Sequence, residues 1–435
     1  MRKLDTLKRT YPSGFEAQVV MRPQFAKQFM GVIVDFGGAD PQKVAGGAHF
    51  LEHMLFNKIN GDIAHRFEEV GAVTNAFTSE NETMFYAEMT NHWRKVIPLL
   101  FELVGTTNFT EKSIAKESHI IGQELSMYQD DVLWEARHKL LKMMFPDSNL
   151  SVDLAGTHTS ILTMTPENLE EIYRANYFAK NMKFIACGGF SQNQAKEILR
   201  AVGKLEKKYI SPTAGKGVIE KKSEPVTEHD AIITRHVGTS RVIVGIKLPD
   251  FKQFDSSRNL MQSIVESMLE ENLGTMSDWF KKAQANSLII SPLEISVSYT
   301  RQGNFATIAG FAPDYLKLLD AIKAQIRDAN GDERLFTLQK KEYVAEMIRE
   351  RDSISDLAIE AGEMMLEHED LDTVVRRFQN LSFNEFCNYY KKIILKSDIF
   401  TSTLTNNPSS PDVDSLWKEF LTDEVDLDDD GDENE

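Results

Sequence analysis

Two stretches of this chain run through the same order of predicted elements, and that repetition limits the possible folds more than any single residue does. Within residues 14–39, alternating apolar positions such as Val19, Met21, Val32, Val34 and Phe36 predict a pair of strands broken near Pro23. The Gly46-Gly47 turn opens a helical segment in which Phe50, Leu51, Met54 and Leu55 recur at helical spacing. A helix at 63–70, strands at 73–78 and 83–89, helices at 93–105, 111–145 and 166–177, and a closing strand at 184–187 complete the first pass. Strands at 231–236 and 242–248, helices at 256–272 and 277–284, strands at 293–299 and 305–309, and further helices repeat the order. The expectation is an α+β fold of two homologous domains, each an antiparallel or mixed sheet with helices packed on one face. Residues 1–203 form the first domain and 229–422 the second. Between them, residues 204–228 are rich in Lys, Glu, Ser, Pro and Gly and lack apolar periodicity, as a linker does.

Charge and composition narrow the function classes. The net charge is −17, and nine acidic residues with no basic one fall in residues 423–435, which leaves −8 for the rest. That tail reads as solvated and disordered. With no dense Lys/Arg cluster, nucleic acid is excluded as a partner. No apolar run reaches the roughly 18 residues of a membrane span, and residues 1–5 lead into polar sequence rather than a signal-peptide core, so no membrane partner is expected. Cys187 and Cys387 are the two cysteines. A chain without a disulfide framework fits a reducing cytoplasm.

The chemistry centres on His49-Phe50-Leu51-Glu52-His53. Residues i and i+4 share a helix face, so His49 and His53 can present two imidazoles to one zinc ion. Glu52 lies beside them and can take a proton from a water molecule while the ion polarises a peptide carbonyl. Chance would produce this H-x-x-E-H pattern roughly 0.02 times in such a composition; the competing reading is a solvated helix face. A catalytic zinc needs a third protein ligand and an open position. Glu117 and Glu124 lie seven residues apart, two turns along one face of a single predicted helix, so one can ligate the ion while the other orients a ligand from behind.

Together with Glu117-Ser118-His119-Ile120-Ile121-Gly122-Gln123-Glu124, the motif resembles the insulinase/pitrilysin family of zinc metallopeptidases, the inverzincins. Gly71 to Thr78, Gly156-Thr157 and the duplicated halves extend the resemblance over nearly the whole chain. It implies His49, His53 and Glu124 as zinc ligands, Glu52 as general base and Glu117 as supporting acid. It also implies that Asn75, Ala76, Phe77 and Thr78 form an edge strand that holds a peptide substrate in extended form; an ordinary edge strand is the other reading.

Members of the family that act alone carry an Arg and, seven residues later, a Tyr in the second half. Here the corresponding region runs Trp279-Phe280-Lys281-Lys282-Ala283-Gln284-Ala285-Asn286-Ser287-Leu288-Ile289 and lacks the pair. The resemblance is therefore to the zinc-bearing subunit of two-chain, processing-peptidase-like members of bacterial type. It implies a heterodimer whose related second subunit supplies the Arg/Tyr pair and closes a chamber, with a homodimer as the lesser alternative. Tyr299 and Arg301 read as a surface strand with a charged end rather than a substitute pair. Met143, Met144, Met364 and Met365 read as core filler. Glu80, Glu82, Asp130 and Asp131 suggest a preference for basic peptides through charge steering. The expected activity is zinc-dependent hydrolysis of internal peptide bonds in short or unfolded peptides. The competing reading is a non-catalytic, peptide-binding subunit that keeps the fold.

Overall fold

The computed structural model describes residues 3–129, 132–215, 228–254, 256–328 and 331–406. Asp130, Asp131 and the acidic tail lie outside the described residues, as do 216–227 of the predicted linker.

The first half begins with β1 (Asp5–Thr10), β2 (Glu16–Met21) and β3 (Gln28–Val34), followed by α1 (Gly47–Phe56). A small ribbon, β4 (Asn57–Lys58) with β5 (Gly61–Asp62), leads to α2 (Ala64–Glu68), β6 (Val73–Thr78) and β7 (Thr83–Met89). Helices α3 (Trp93–Gly105), α4 (Glu111–Gln129), α5 (Val132–Met144), α6 (His158–Leu162) and α7 (Pro166–Asn176) precede β8 (Met182–Gly188) and α8 (Gln192–Tyr209). In the second half come β9 (Asp230–Thr234), β10 (Ser240–Leu248), α9 (Arg258–Leu273) and α10 (Asp278–Ala285). They are followed by β11 (Glu294–Thr300), β12 (Gly303–Ala312), α11 (Tyr315–Asp328) and α12 (Glu333–Glu350). The last described elements are α13 (Ile354–Leu366), α14 (Leu371–Asn380), α15 (Phe383–Ile393) and β13 (Ile399–Thr405).

The two large sheets have one topology. The first runs β1-β2-β8-β3-β7-β6 and the second β11-β12-β10-β13-β9. Read from the other edge, the second sheet matches the first with β9, β13, β10, β12 and β11 in the places of β2, β8, β3, β7 and β6. Pairing directions agree as well, since β8 is parallel to β2 and antiparallel to β3, as β13 is to β9 and β10. This is the duplicated α+β unit. One detail differs from the sequence reading: β2 and β3 are not paired with each other, because β8 returns from far along the chain to lie between them. Every residue of β3 and β8 is buried, as expected for central strands covered on both faces.

That second covering layer is what the sequence did not announce. The helix predicted at 111–145 is described on either side of residues 130–131, as α4 and α5, and the two stretches do different work. Helix α4 packs on α1 and α6 in its own half, whereas α5 packs on β13 and β10 of the other sheet. In return α13 packs on β8 and β3. Ala136, Leu140, Met143 and Met144 join Ile243, Phe400 and Leu404 in one cluster, while Val20, Ile33 and Ile185 of the first sheet join Leu357, Ala358 and Ala361 in another. Each half thus lends one helix to the open face of its neighbour's sheet. All four methionines read as core filler are buried, Met143 and Met144 on α5, Met364 and Met365 on α13.

Of the expected surface strand with a charged end, Arg301 is exposed but engaged, and Tyr299 is not at the surface. Tyr299 is buried against Phe251. Arg301 donates from Nε to Asp40 Oδ1 at 2.7 Å, and its other nitrogens reach Asp35, Asp40 and the Asn81 carbonyl. Asn81 answers by donating to the Tyr299 carbonyl at 3.2 Å. The strand end is consumed in a tie between halves, because a guanidinium fork can satisfy several acceptors at once.

Candidate metal centre

Helix α1 starts at Gly46, whose backbone sits at φ 81°, a left-handed conformation that favours glycine. A side chain there would also strike the Ala155 carbonyl, at 2.4 Å from an added Cβ. The helix can therefore enter close under the 155–157 loop. Phe50, Leu51, Met54 and Leu55 face the core, which turns His49 and His53 to the other side.

The two rings lie with centroids 4.6 Å apart, and α4 brings Glu124 between them. Glu124 Oε2 is 3.8 Å from His49 Nε2 and 3.8 Å from His53 Nε2. One ligand atom from each of the three residues falls within 4.8 Å of the others, and this is the single such His/Cys/Asp/Glu group among the described residues. A tetrahedral zinc with bonds of about 2.1 Å needs ligand atoms about 3.4 Å apart, so the donor set fits the ion with a small contraction. Two imidazoles and one carboxylate also leave a coordination position open.

The surrounding groups set the charge and the orientation of the ligand atoms. Burial, and then the charge of His53, press His49 down to about 4, so its ring is held neutral. His49 Nδ1 is buried without a hydrogen-bond partner among the described residues, which leaves Nε2, the atom facing Glu124, as its working nitrogen. Burial also lowers His53, but the hydrogen bond to Glu117 and the nearby carboxylates leave it raised. His53 Nδ1 lies 2.8 Å from Glu117 Oε1, an arrangement that fixes the tautomer with Nε2 toward Glu124. Tyr128 donates to Glu124 Oε1 at 2.8 Å, leaving Oε2 toward the rings. That carboxylate, followed by burial, pushes the Tyr128 hydroxyl up to about 12, so it remains a donor.

Glu52 is 8% exposed and accepts a hydrogen bond from Thr78 Oγ1 at 2.6 Å. Burial raises its pKa while the Thr78 bond opposes the rise. Its carboxylate lines, with the histidines, a cleft of about 610 Å³. Asn75, Ala76, Phe77 and Thr78 line the same cleft, and their strand β6 is an edge strand paired on one side by β7.

Tyr128 of α4 is among the cleft residues that escaped the sequence reading, and so are Trp134, Arg137 and His138. The last three belong to α5, and the Trp134 and His138 rings stack at 5.0 Å. Arg137 Nη2 stands 3.6 Å from Glu80, so one of the acidic groups expected to steer basic peptides already has a counter-charge. Glu82 turns away to accept from Ser79.

Comparison with known proteins gives the family and the fold. Residues 21–158 match the family model described as Insulinase (Peptidase family M16), and residues 163–336 match the Peptidase M16 inactive domain. The chain belongs to the insulinase family, M16, and has its peptidase fold. An uncharacterized zinc protease, YmfH of Bacillus subtilis, is 27% identical over 343 residues, covering 76% of this chain and 79% of that protein. A probable mitochondrial-processing peptidase subunit beta of Arabidopsis thaliana is 21% identical over 385 residues, covering 84% of this chain and 71% of that protein. Among solved structures, a putative M16-like peptidase from Alicyclobacillus acidocaldarius superposes with a TM-score of 0.83 at 21% identity, over 93% of this chain and 99% of that one. A Helicobacter pylori protease gives 0.78 at 17%, over 93% and 100%. No helix among the described residues is long and apolar enough to cross a membrane.

Proposed function

We propose that this chain is a zinc-dependent metalloendopeptidase acting on short or unfolded peptides, and that it is the zinc-bearing subunit of a heterodimer. The observation that carries the reading is the convergence of His49, His53 and Glu124 in the cleft that Glu52 and the open edge of β6 also line. His49, His53 and Glu124 would hold the ion, with Glu117 and Tyr128 fixing the orientation of His53 and Glu124. When bound, zinc supplies Lewis acidity to the scissile carbonyl and makes a water molecule easier to deprotonate. Glu52, raised by burial and steadied by Thr78, takes the proton from the attacking water and returns it to the leaving amine. The backbone of Asn75 to Thr78 receives the substrate as an added strand, which accepts varied side chains.

The partner rests on the missing Arg/Tyr pair of the second half. The cleft has a tyrosine and an arginine of its own, but Tyr128 bonds to Glu124 and Arg137 lies against Glu80. Names of relatives that include a processing-peptidase beta subunit are in keeping with a two-chain assembly. Free Cys187 and Cys387 suit a reducing cytoplasm. The domain limits proposed are 1–203 and 229–422; helix α8 carries ordered structure on to Tyr209.

Zinc analysis and a quenched-peptide assay test the function together. One zinc per chain is expected, with cleavage abolished by chelator and restored by zinc; a metal-free chain or chelator-resistant cleavage would end the proposal. The heterodimer is tested by adding the co-purified partner. Turnover should rise, and full turnover of the zinc-loaded chain alone would remove that part.

A further inference from the structure

The second half holds a cleft, of about 400 Å³, in the place where the first half holds the candidate metal centre. Helices α9, α12 and α13 line it, as α1, α4 and α5 line the first. The register is set by buried pairs: Leu260-Met261 and Ile264-Val265 of α9 match Phe50-Leu51 and Met54-Leu55 of α1. Asn259, Gln262 and Ser263 then stand where His49, Glu52 and His53 stand in the first half. Helices α5 and α13 match through Ala136 and Ala358, the fifth residue of each. Their third, seventh and tenth residues line the clefts, as Trp134, His138 and Leu141 on α5 and as Asp356, Glu360 and Glu363 on α13.

The second copy shows which of these side chains the frame itself requires. Both helices bury one stripe against the sheet of the other half, Ala136, Leu140 and Met143 on α5 and Leu357, Ala358 and Ala361 on α13. The third, seventh and tenth residues form a separate stripe along each cleft. On α13 that stripe carries three carboxylates, so covering a sheet does not call for apolar side chains there. A helix stripe facing water is ordinarily polar. Helix α5 instead presents an indole, an imidazole and a leucine side chain, all half-buried, to an open cleft. Leu150 and Val152 continue the apolar lining from the segment that follows α5.

The α5 stripe is also held in place. Trp134 Nε1 donates to Asp153 Oδ2 at 2.6 Å, and Asp153 Oδ1 accepts from the Ala155 amide at 2.8 Å. Ala155 belongs to the loop under which α1 enters, so the indole is tied to the start of the helix that carries His49 and His53. The His138 ring lies on the indole with an interplanar angle of 8°. Burial presses His138 below its ordinary value, which keeps the ring neutral and suits it to an apolar neighbour. A platform fixed before binding loses little freedom when a ligand settles on it.

We propose that Trp134, His138 and Leu141 form a specificity subsite for an aromatic side chain of a peptide held along β6. That this side chain decides which bond meets the candidate metal centre rests on the proposed function; the recognition of the aromatic ring does not. The stacked rings offer a planar face, and Leu141 and Leu150 close the slot with apolar surface. An aromatic residue gains there by burial and by ring-on-ring contact, whereas a cyclohexyl group of similar size gains by burial alone.

The test is fluorescence anisotropy of the full chain carrying Glu52→Gln and supplied with zinc, so that no peptide is consumed. The probes are labelled short peptides of Ser, Gly and Thr with one central phenylalanine, cyclohexylalanine or alanine. The phenylalanine peptide should bind about tenfold or more tightly than the alanine peptide, with the cyclohexylalanine peptide between them. His138→Glu/Leu141→Glu places the second half's residues at the matched positions. It should bring the phenylalanine-to-alanine preference below about threefold while the melting temperature stays within a few degrees, because α13 folds with the same residues. His138→Ala/Leu141→Ala is the second variant, with the same expected fall in preference, and it decides the matter if the glutamate pair unfolds the chain. Equal binding of the three peptides, binding of none of them, or a preference that survives in a folded variant would overturn the proposal. A chain that prefers the phenylalanine peptide but has no peptidase activity keeps the subsite and loses the proposed function; an active chain without the preference does the reverse.

Discussion

The two clefts occupy equivalent positions in a duplicated unit, yet one presents three histidines, His49, His53 and His138, and the other none. Both are framed by three helices, α1, α4 and α5 in one and α9, α12 and α13 in the other, and the two sheets share one topology. At three matched positions the chemistry is exchanged: His49 for Asn259, Glu52 for Gln262, His53 for Ser263. A scaffold therefore does not carry the function; a handful of side chains at the end of a helix does. The second copy presents the equivalent frame without the two histidines, as a cavity lined by carboxylates.

The sharpest way to break this contrast is to remove matched residues. His53→Ala should abolish stoichiometric zinc and lower turnover by about 1,000-fold or more, whereas Ser263→Ala should leave zinc unchanged; both are read by metal analysis and peptide assay. Glu117→Gln loosens the His53 ring without deleting a ligand, so zinc affinity in a chelator competition should fall about 10- to 100-fold. Arg301→Ala cuts the tie between halves at Asp35, Asp40 and Asn81 and should cost about 2–3 kcal/mol in urea unfolding. Thr78→Val removes one hydrogen bond from Glu52, for an expected loss of about 3- to 10-fold in turnover.

The smallest effect concerns pH. Glu360 and Glu363 have folded values of about 7 and about 8 against an ordinary 4.5, so the folded chain binds their protons more tightly than the unfolded chain. Their contribution to stability is greatest below about pH 4.5 and is lost as pH rises toward 8. Melting temperature compared across that window should fall more in the wild type than in Glu360→Gln/Glu363→Gln. Parallel curves would contradict the assigned environment.

Much of the first cleft was legible because its chemistry is local. His49, Glu52 and His53 need one helix turn, and Glu117 and Glu124 need two turns of one helix. The Gly46 turn and α3 were also local signals. What was missed depends on partners distant in sequence. Apolar periodicity gives α5 a buried face through Ala136, Leu140 and Met143, but nothing in that spacing says the face covers the opposite sheet. For the same reason Trp134, Arg137 and His138 could not be assigned to the cleft, and β8 could not be placed between β2 and β3. Comparing α5 with α13 position by position was the available signal, since both set alanine at the fifth residue and lining side chains at the third, seventh and tenth.

The most direct measurement of the central claim is zinc content alongside turnover in Glu52→Gln. Full zinc with turnover reduced by about 1,000-fold or more is the expected result, because in the proposed mechanism this carboxylate moves protons and does not hold the ion. Loss of zinc, or turnover close to wild type, would contradict the account.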